Sequence, residues 1–360
     1  MHDRREMLRL LAGAGAVGLA GSAGAALGAA EPRRSGVVGG RRVRTVDIHC
    51  HTLMDMTDVT AGTPLQGAGL PASVMKYGLD AARVAAMDAQ GIDVQALSIN
   101  AWWYGADRAL AAKLIEAQNN RLAEAVKAFP GRFVALASVA LQHPELAAEQ
   151  LQDAIKRLGM KGVALGCSVE GDELTNPRFD PFWKMAESLG AVVFLHPQNS
   201  AIATGIAKRV EGNGNLANVI GNPLETTIAL SHMIFEGTLD RFPGLKVCAA
   251  HGGGYLPSYV DRSDWGCAQP GAPCKAGPTL KRKPSEYMRQ IYVDTLVFTP
   301  EAVRHLAAVC GPDRMMIGTD YPFPWVAKPL EPILATPGLS DADKIAMMGG
   351  TACKLLGIPA

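Results

Sequence analysis

Short apolar runs, rich in β-branched residues, recur along the chain at 44–49 (RTVDIH), 94–99 (VQALSI), 133–139 (FVALASV), 161–165 (KGVAL), 191–196 (AVVFLH), 245–250 (LKVCAA), 290–295 (QIYVDT) and 314–319 (RMMIGT). Their apolarity is nearly continuous rather than alternating. That pattern predicts strands covered on both faces, as in a parallel sheet. Helical patterns lie between them. Residues 107–128 are Ala-rich and stop before Pro130-Gly131, and 144–158 open on Pro144-Glu145. Residues 222–236 begin with Asn222 as an expected N-cap, then Pro223 and Glu225. Residues 299–310 open similarly on Thr299-Pro300-Glu301. Eight strands alternating with helices predict an α/β fold, specifically a (β/α)8 TIM barrel. The rival is an open doubly wound sheet, whose first strand normally runs into a glycine-rich turn. Here the first strand runs into His49-Cys50-His51. The chain has no internal repeat.

The first thirty residues fall outside that pattern. Arg4-Arg5 precede an Ala/Gly-rich, mildly apolar stretch ending in small residues before Glu31. A basic start, an apolar middle and a small-residue cleavage region predict an export signal, here resembling the twin-arginine type, over residues 1–30. Export would place the protein in the periplasm. The alternative is an N-terminal extension of a cytoplasmic protein. Gly and Ala contribute too little transfer free energy for a stable membrane anchor. Residues 31–42 (EPRRSGVVGGRR) read as a flexible linker. The barrel is then expected over 43–360.

The chain has 360 residues, 48% of them hydrophobic and 19% charged. A core of that size is stable without disulfides or metal, so any metal serves chemistry. Net charge is +1, and residues 1–30 carry one more basic than acidic side chain, leaving the remainder neutral. No basic tract marks a nucleic-acid partner, which leaves a small-molecule substrate. Of seven cysteines, Cys50, Cys248 and Cys310 sit in or beside apolar runs and read as small core residues. Cys267 and Cys274 bracket a Pro/Gly loop. They either close a small disulfide in an oxidising compartment or stand as unrelated loop thiols.

Barrel enzymes work at the C-terminal ends of their strands. There the sequence collects His49 and His51 after the first strand, His196 after the fifth, His251 after the sixth and Asp320 after the eighth. Two residues apart on a strand, His49 and His51 share a face. Three imidazoles and one carboxylate suit one divalent ion, Zn2+ first, with Mn2+, Fe2+ and Co2+ as other candidates. Such a set cancels one of the two metal charges, and the residual charge would acidify a bound water. His251 is either a further ligand or an acid/base group, and imidazole titrates where the second role needs it. The three glycines after it read as a tight turn into a helix. A phosphate cradle is the other reading, without the usual Lys-Ser/Thr ending.

Taken together, VDIHCH, FLHP, HGGG followed by Asp261-Arg262, and IGTDYPFPW resemble the amidohydrolase-related family that includes amino-carboxymuconate-semialdehyde decarboxylase. The connecting phrases MDAQGIDVQ, RFPGLK, PSEYM and VCGPDRMMIGTDYPFP match as well. The resemblance implies that His49, His51, His196 and Asp320 bind the metal and that His251 is catalytic. It also implies that Arg262 reaches a substrate carboxylate across a homodimer interface, and that Phe323 lines the pocket. Arg262 otherwise reads as a helix-surface arginine paired with Asp261 or Asp264. The sequence departs from the family in one place. Residues 52–82 hold no arginine, only Lys76, where the decarboxylase carries a substrate-binding one. Trp102 and Trp103 read either as an aromatic wall or as packing. The expected activity is non-oxidative decarboxylation of a small aromatic or unsaturated acid, with Asp320 and His251 in catalytic roles. The alternatives are hydrolysis of a lactone, amide or ester by a metal-bound hydroxide, and a binding protein that kept the fold.

Overall fold

A computed structural model describes residues 34–68, 77–198, 203–271, 274, 278–323 and 325–360. The proposed signal over 1–30 and Lys76 lie outside the described residues. Each of the eight expected strands forms. In chain order the strands are β1 (Gly36–Val38), β2 (Arg41–Val43), β3 (Val46–His51), β4 (Val94–Ser98), β5 (Phe133–Ala135) and β6 (Gly162–Gly166). They continue as β7 (Ser168–Val169), β8 (Asp172–Glu173), β9 (Val192–His196), β10 (Lys246–Ala249), β11 (Tyr292–Asp294) and β12 (Met315–Tyr321). The eight-stranded sheet has the order β5-β4-β3-β12-β11-β10-β9-β6, with every pair parallel. Its outer strands meet where the Ala137 N–H donates to the Gly162 carbonyl at 2.8 Å and Ala164 N–H donates to the Ala137 carbonyl at 3.0 Å. The sheet thereby closes into a barrel.

Two apolar shells follow from that closure. Val46, Ile48, Ala96, Phe194, Cys248 and Met316 fill the barrel interior together with Ala352, Cys353 and Leu356 of the C-terminal helix. Gly349, just before that helix, lies against the Arg44 carbonyl, so the helix plugs the end where the strands begin. The second shell packs strands against helices: Leu114, Leu122, Leu146, Leu151, Trp183 and Met233 are all buried. Each such side chain contributes on the order of 1.5–3 kcal/mol when taken fully out of water. The helices start where their capping residues stand. Asp107 caps Arg108–Lys127 by accepting from the Leu110 N–H at 2.9 Å, and Thr299 caps Pro300–Cys310 by accepting from Ala302 at 3.2 Å.

Two local expectations fail. Asn222 does not cap its helix, because a π-helical turn over Ala217–Gly221 runs straight into Asn222–Phe235. The segment read as a flexible linker is also partly folded. β1 and β2 form an antiparallel hairpin that buries Val38 and Val43, and Arg42 pairs with Asp93 at 2.6 Å. Its Gly-Gly tip is the hairpin turn, with Gly39 and Gly40 both at positive φ. Cys50, Cys248 and Cys310 are buried as expected, and Cys267 and Cys274 are joined with their Cα atoms 5.2 Å apart. Among the described residues no helix is long and apolar enough to cross a membrane.

Candidate metal centre

β3, β9 and β12 end on the same rim of the barrel, and their last polar residues converge. One donor atom from each of His49, His51, His196 and Asp320 lies within 4.8 Å of the other three, and all four residues are buried. His251, at the end of β10, completes the cluster. Its ring centroid is 5.1 Å from that of His49 and 5.3 Å from that of His196, and its Nε2 lies 3.9 Å from Asp320 Oδ2.

The hydrogen bonds behind these rings fix which nitrogens face inward. His49 Nδ1 donates to Asp294 Oδ2 at 2.5 Å, which turns Nε2 toward Asp320 Oδ1, 3.1 Å away. The Ser98 hydroxyl spends its proton on the Cys50 carbonyl at 2.9 Å, so it accepts from His51 Nδ1 at 3.0 Å. His51 Nε2 then presents a lone pair to Asp320 Oδ1 at 2.8 Å. Two lone pairs at that separation repel unless a cation lies against both. His196 has both ring nitrogens buried without a partner, an arrangement that costs free energy unless something binds there. This donor set, with its outer carboxylate and hydroxyl partners, fits a divalent ion held by His49, His51, His196 and Asp320.

Electrostatics point the same way. Burial and the neighbouring imidazoles push His196 well below its ordinary value, so it is a neutral donor. Burial opposes the charge of Asp320, but the surrounding histidines hold it well below the usual carboxylate range. Burial also opposes a charge on His49, yet Asp320 and Asp294 outweigh it and raise that imidazole to about 10. Two buried carboxylates thus require positive charge between them, as a proton on His49 or as an ion.

Asp294, at the end of β11, was not singled out from the sequence, although a lone acid closing an apolar strand is the signal that marked Asp320. It binds His49, and it accepts the backbone N–H groups of His251 (2.9 Å), Gly252 (2.8 Å) and Leu296 (3.0 Å). His251 and Asp320 have φ of +55° and +57°, left-handed values that cost on the order of 1–3 kcal/mol each for a non-glycine residue. Asp294 holds the first of these. Gly252 and Gly254 also have positive φ, and a Cβ on Gly254 would meet the Pro223 carbonyl at 2.2 Å. The turn reading of the three glycines therefore holds. Their N–H groups, with those of His251 and Tyr255, are all spent on Asp294, Ala250, His251 and Thr227, so no anion cradle exists.

The remaining expected site residues separate. Phe323 stands over the centre, 38% exposed, its ring 6.2 Å from His51 and 6.0 Å from Tyr77. Tyr77 lies in the loop that lacks the family arginine. Burial and the Asp320 charge push its phenol up to about 12, which keeps it a neutral donor. Trp103 is core packing, fully buried and donating to the Val139 carbonyl. Trp102 is half-buried edge-on to Trp103, and its indole N–H is buried without a partner. Arg262 is exposed and lines a surface groove of about 370 Å³ with Tyr255, Tyr259 and Leu224. Among the described residues it forms no ion pair, and Asp264 accepts from Ser285 instead.

Metal uptake at neutral pH is expected to displace the proton shared around His49, so affinity should rise with pH toward about 10. Calorimetric titration in two buffers of unlike ionisation enthalpy should return different apparent heats. Identical heats would contradict the assignment of the charge to His49.

Residues 46–358 match the model of a family described as amidohydrolase. The 2-amino-3-carboxymuconate-6-semialdehyde decarboxylase of Dictyostelium discoideum is 33% identical over 282 residues, 77% of this chain and 76% of that protein. The structure of 5-carboxyvanillate decarboxylase from Sphingomonas paucimobilis superposes with a TM-score of 0.77 at 25% identity, covering 88% of this chain and all of the other. A dihydroxybenzoic acid decarboxylase from Polaromonas sp. JS666, solved with bound manganese and the inhibitor 2-nitroresorcinol, gives a TM-score of 0.72 at 26% identity, covering 88% of this chain and 97% of the other. Eight parallel strands closed around three histidines and an aspartate, with a match over nearly the whole barrel, make this chain a member of the amidohydrolase family.

Proposed function

We propose that this protein is a metal-dependent, non-oxidative decarboxylase of a small aromatic or unsaturated carboxylic acid. The observation that carries the reading is the convergence of His49, His51, His196 and Asp320 on one point, with His251 beside them and open to the barrel mouth. Its relatives named above are decarboxylases. Zinc is the ion we assign, on the three-histidine, one-carboxylate donor set. Manganese is the competing assignment, supported by the Polaromonas structure, and elemental analysis of the purified protein separates the two. When bound, the ion supplies Lewis acidity to an oxygen of the substrate.

The side chains divide the remaining work. His251 is the acid/base group: its side chain is 16% exposed, whereas the ligand histidines are sealed. It delivers a proton to the carbon that bears the carboxylate. The bond from that carbon to the carboxylate then breaks, its electron pair stays on the carbon, and CO2 leaves. Solvent restores the proton to His251, so one proton replaces one CO2 overall. Asp320 Oδ2, 3.9 Å from His251 Nε2, keeps that ring oriented. Phe323 stacks beside the substrate. Arg262 acts from a second copy of the chain, neutralising a substrate carboxylate across a homodimer interface. Its freedom from ion pairs among the described residues, in a groove lined by Tyr255 and Tyr259, supports that role.

Three outcomes test this reading. With carboxyl-labelled benzoate- and muconate-type acids, labelled CO2 should appear, and His251→Ala should lower turnover about 10²- to 10⁴-fold while the metal content stays unchanged. Turnover that releases no labelled CO2 would instead indicate the hydrolysis of an amide, ester or lactone. Light scattering should find a dimer, and a fully active monomer would remove Arg262 from the site. We further propose that residues 1–30 direct export and that the Cys267–Cys274 bond suits the oxidising compartment reached. Cell fractionation should recover the mature protein in the periplasm; retention in the cytoplasm would refute it.

A further inference from the structure

Beneath the metal ligands, on the helix-facing side of the sheet, lies a second buried polar system that no catalytic role accounts for. Asp47, Gln95, Arg83 and Thr319 are 0%, 0%, 1% and 1% exposed. Asp47 Oδ1 accepts the backbone N–H groups of His49 (3.1 Å) and Thr319 (3.2 Å). Asp47 Oδ2 accepts the Thr319 hydroxyl (2.6 Å) and the Gln95 amide (3.1 Å). Gln95 Oε1 accepts Arg83 Nε at 2.8 Å, and Arg83 Nη1 donates to the His51 carbonyl at 2.8 Å. The Arg83 guanidinium also lies 4.6 Å from the centre of the Tyr321 ring. The Tyr321 N–H donates to the Thr319 hydroxyl at 3.2 Å.

The grip falls on chosen places. It holds the backbone at His49 and His51, the two ligands of β3, and at Thr319 and Tyr321, which flank the ligand Asp320. These are the places where the strand ladder lapses. Pairing of β12 with β3 shifts register between Ile317 and Gly318 and again between Gly318 and Tyr321, and pairing of β3 with β4 shifts between Asp47 and Cys50. Such irregularities re-aim side chains at active sites and leave backbone groups without ladder partners. The side-chain system supplies those partners. A fully buried guanidinium and a fully buried carboxylate are costly to keep, and they are joined here only through an amide. An apolar pair would fill the same layer more cheaply but would leave the ligand-bearing backbone unfixed.

We propose that Asp47, Gln95, Arg83 and Thr319 are positioning residues for the metal centre: by tying β3, β4 and β12 together behind the ligands they set the spacing of His49, His51 and Asp320. The proposal rests on the metal reading given above.

The test uses the whole protein and Co2+ as the probe, read by its visible absorption and by chelator competition, alongside thermal unfolding of the metal-free form. Thr319→Val is nearly isosteric and removes one hydroxyl. Arg83→Met removes the guanidinium, and Leu151→Ala, in the core of helix Pro144–Lys156, is a destabilised control. Thr319→Val and Arg83→Met should weaken cobalt binding about 10- to 100-fold and change its spectrum. Leu151→Ala should unfold earlier yet keep both the affinity and the spectrum of the unmodified chain. A folded Thr319→Val protein with unchanged affinity and spectrum overturns the proposal. So does a loss of affinity in Leu151→Ala equal to that in Thr319→Val, because the effect would then be general stability. An unmodified chain that takes up no cobalt overturns the metal reading itself, and the positioning role with it.

Discussion

Two carboxylates buried on either side of one imidazole constrain the rest of this molecule. Asp294 and Asp320 both approach His49, all three lie deep in the barrel mouth, and among the described residues neither acid has a lysine or arginine against it. Unpaired charge in such a place is expensive. The arrangement therefore persists only with positive charge at its centre, either on His49 or as an ion. A barrel packed at both shells supplies the rigidity that keeps the two acids from relaxing apart.

Much of the local backbone follows from that demand. Asp294 can accept from the His251 turn only because the chain adopts left-handed conformations at His251, Gly252, Gly253 and Gly254 in succession. Gly318 is required where β12 passes Asp294, since a Cβ there would come within 2.7 Å of the Asp294 side chain. Asp320 turns into the mouth through its own positive φ, with Thr319 anchored behind it by Asp47. Strain of this kind is tolerated where surrounding hydrogen bonds over-determine it. It places the His251 imidazole and the Asp320 carboxylate side by side at the ends of different strands.

The polar cluster and the aromatic residues over it sit in different parts of the fold. The centre is built on strand ends, which are rigid. Over it stand the loops after β3 and β12, which carry Tyr77 and Phe323. Loops vary more readily than the strands they join. A neutral phenol in the segment where the family decarboxylase carries arginine is a change of that sort, and it leaves His49, His51, His196 and Asp320 untouched.

The sequence alone determined the eight strands, because strands buried on both faces must be apolar throughout and a polar residue at such a strand's end is conspicuous. His49, His51, His196, His251 and Asp320 were legible for that reason. The hairpin over β1 and β2 was not, because its glycines and arginines look like linker until Val38 and Val43 find the core. Asp294, Arg83 and Gln95 were also hidden. A single acid, a helix arginine and a strand glutamine carry no local mark of what they will touch, since their partners lie on strands distant in the chain. Only closure of the barrel brought β3 beside β12, with β11 on the far side of β12. That decided which nitrogens of His49 and His51 face inward, and which side chains hold them there.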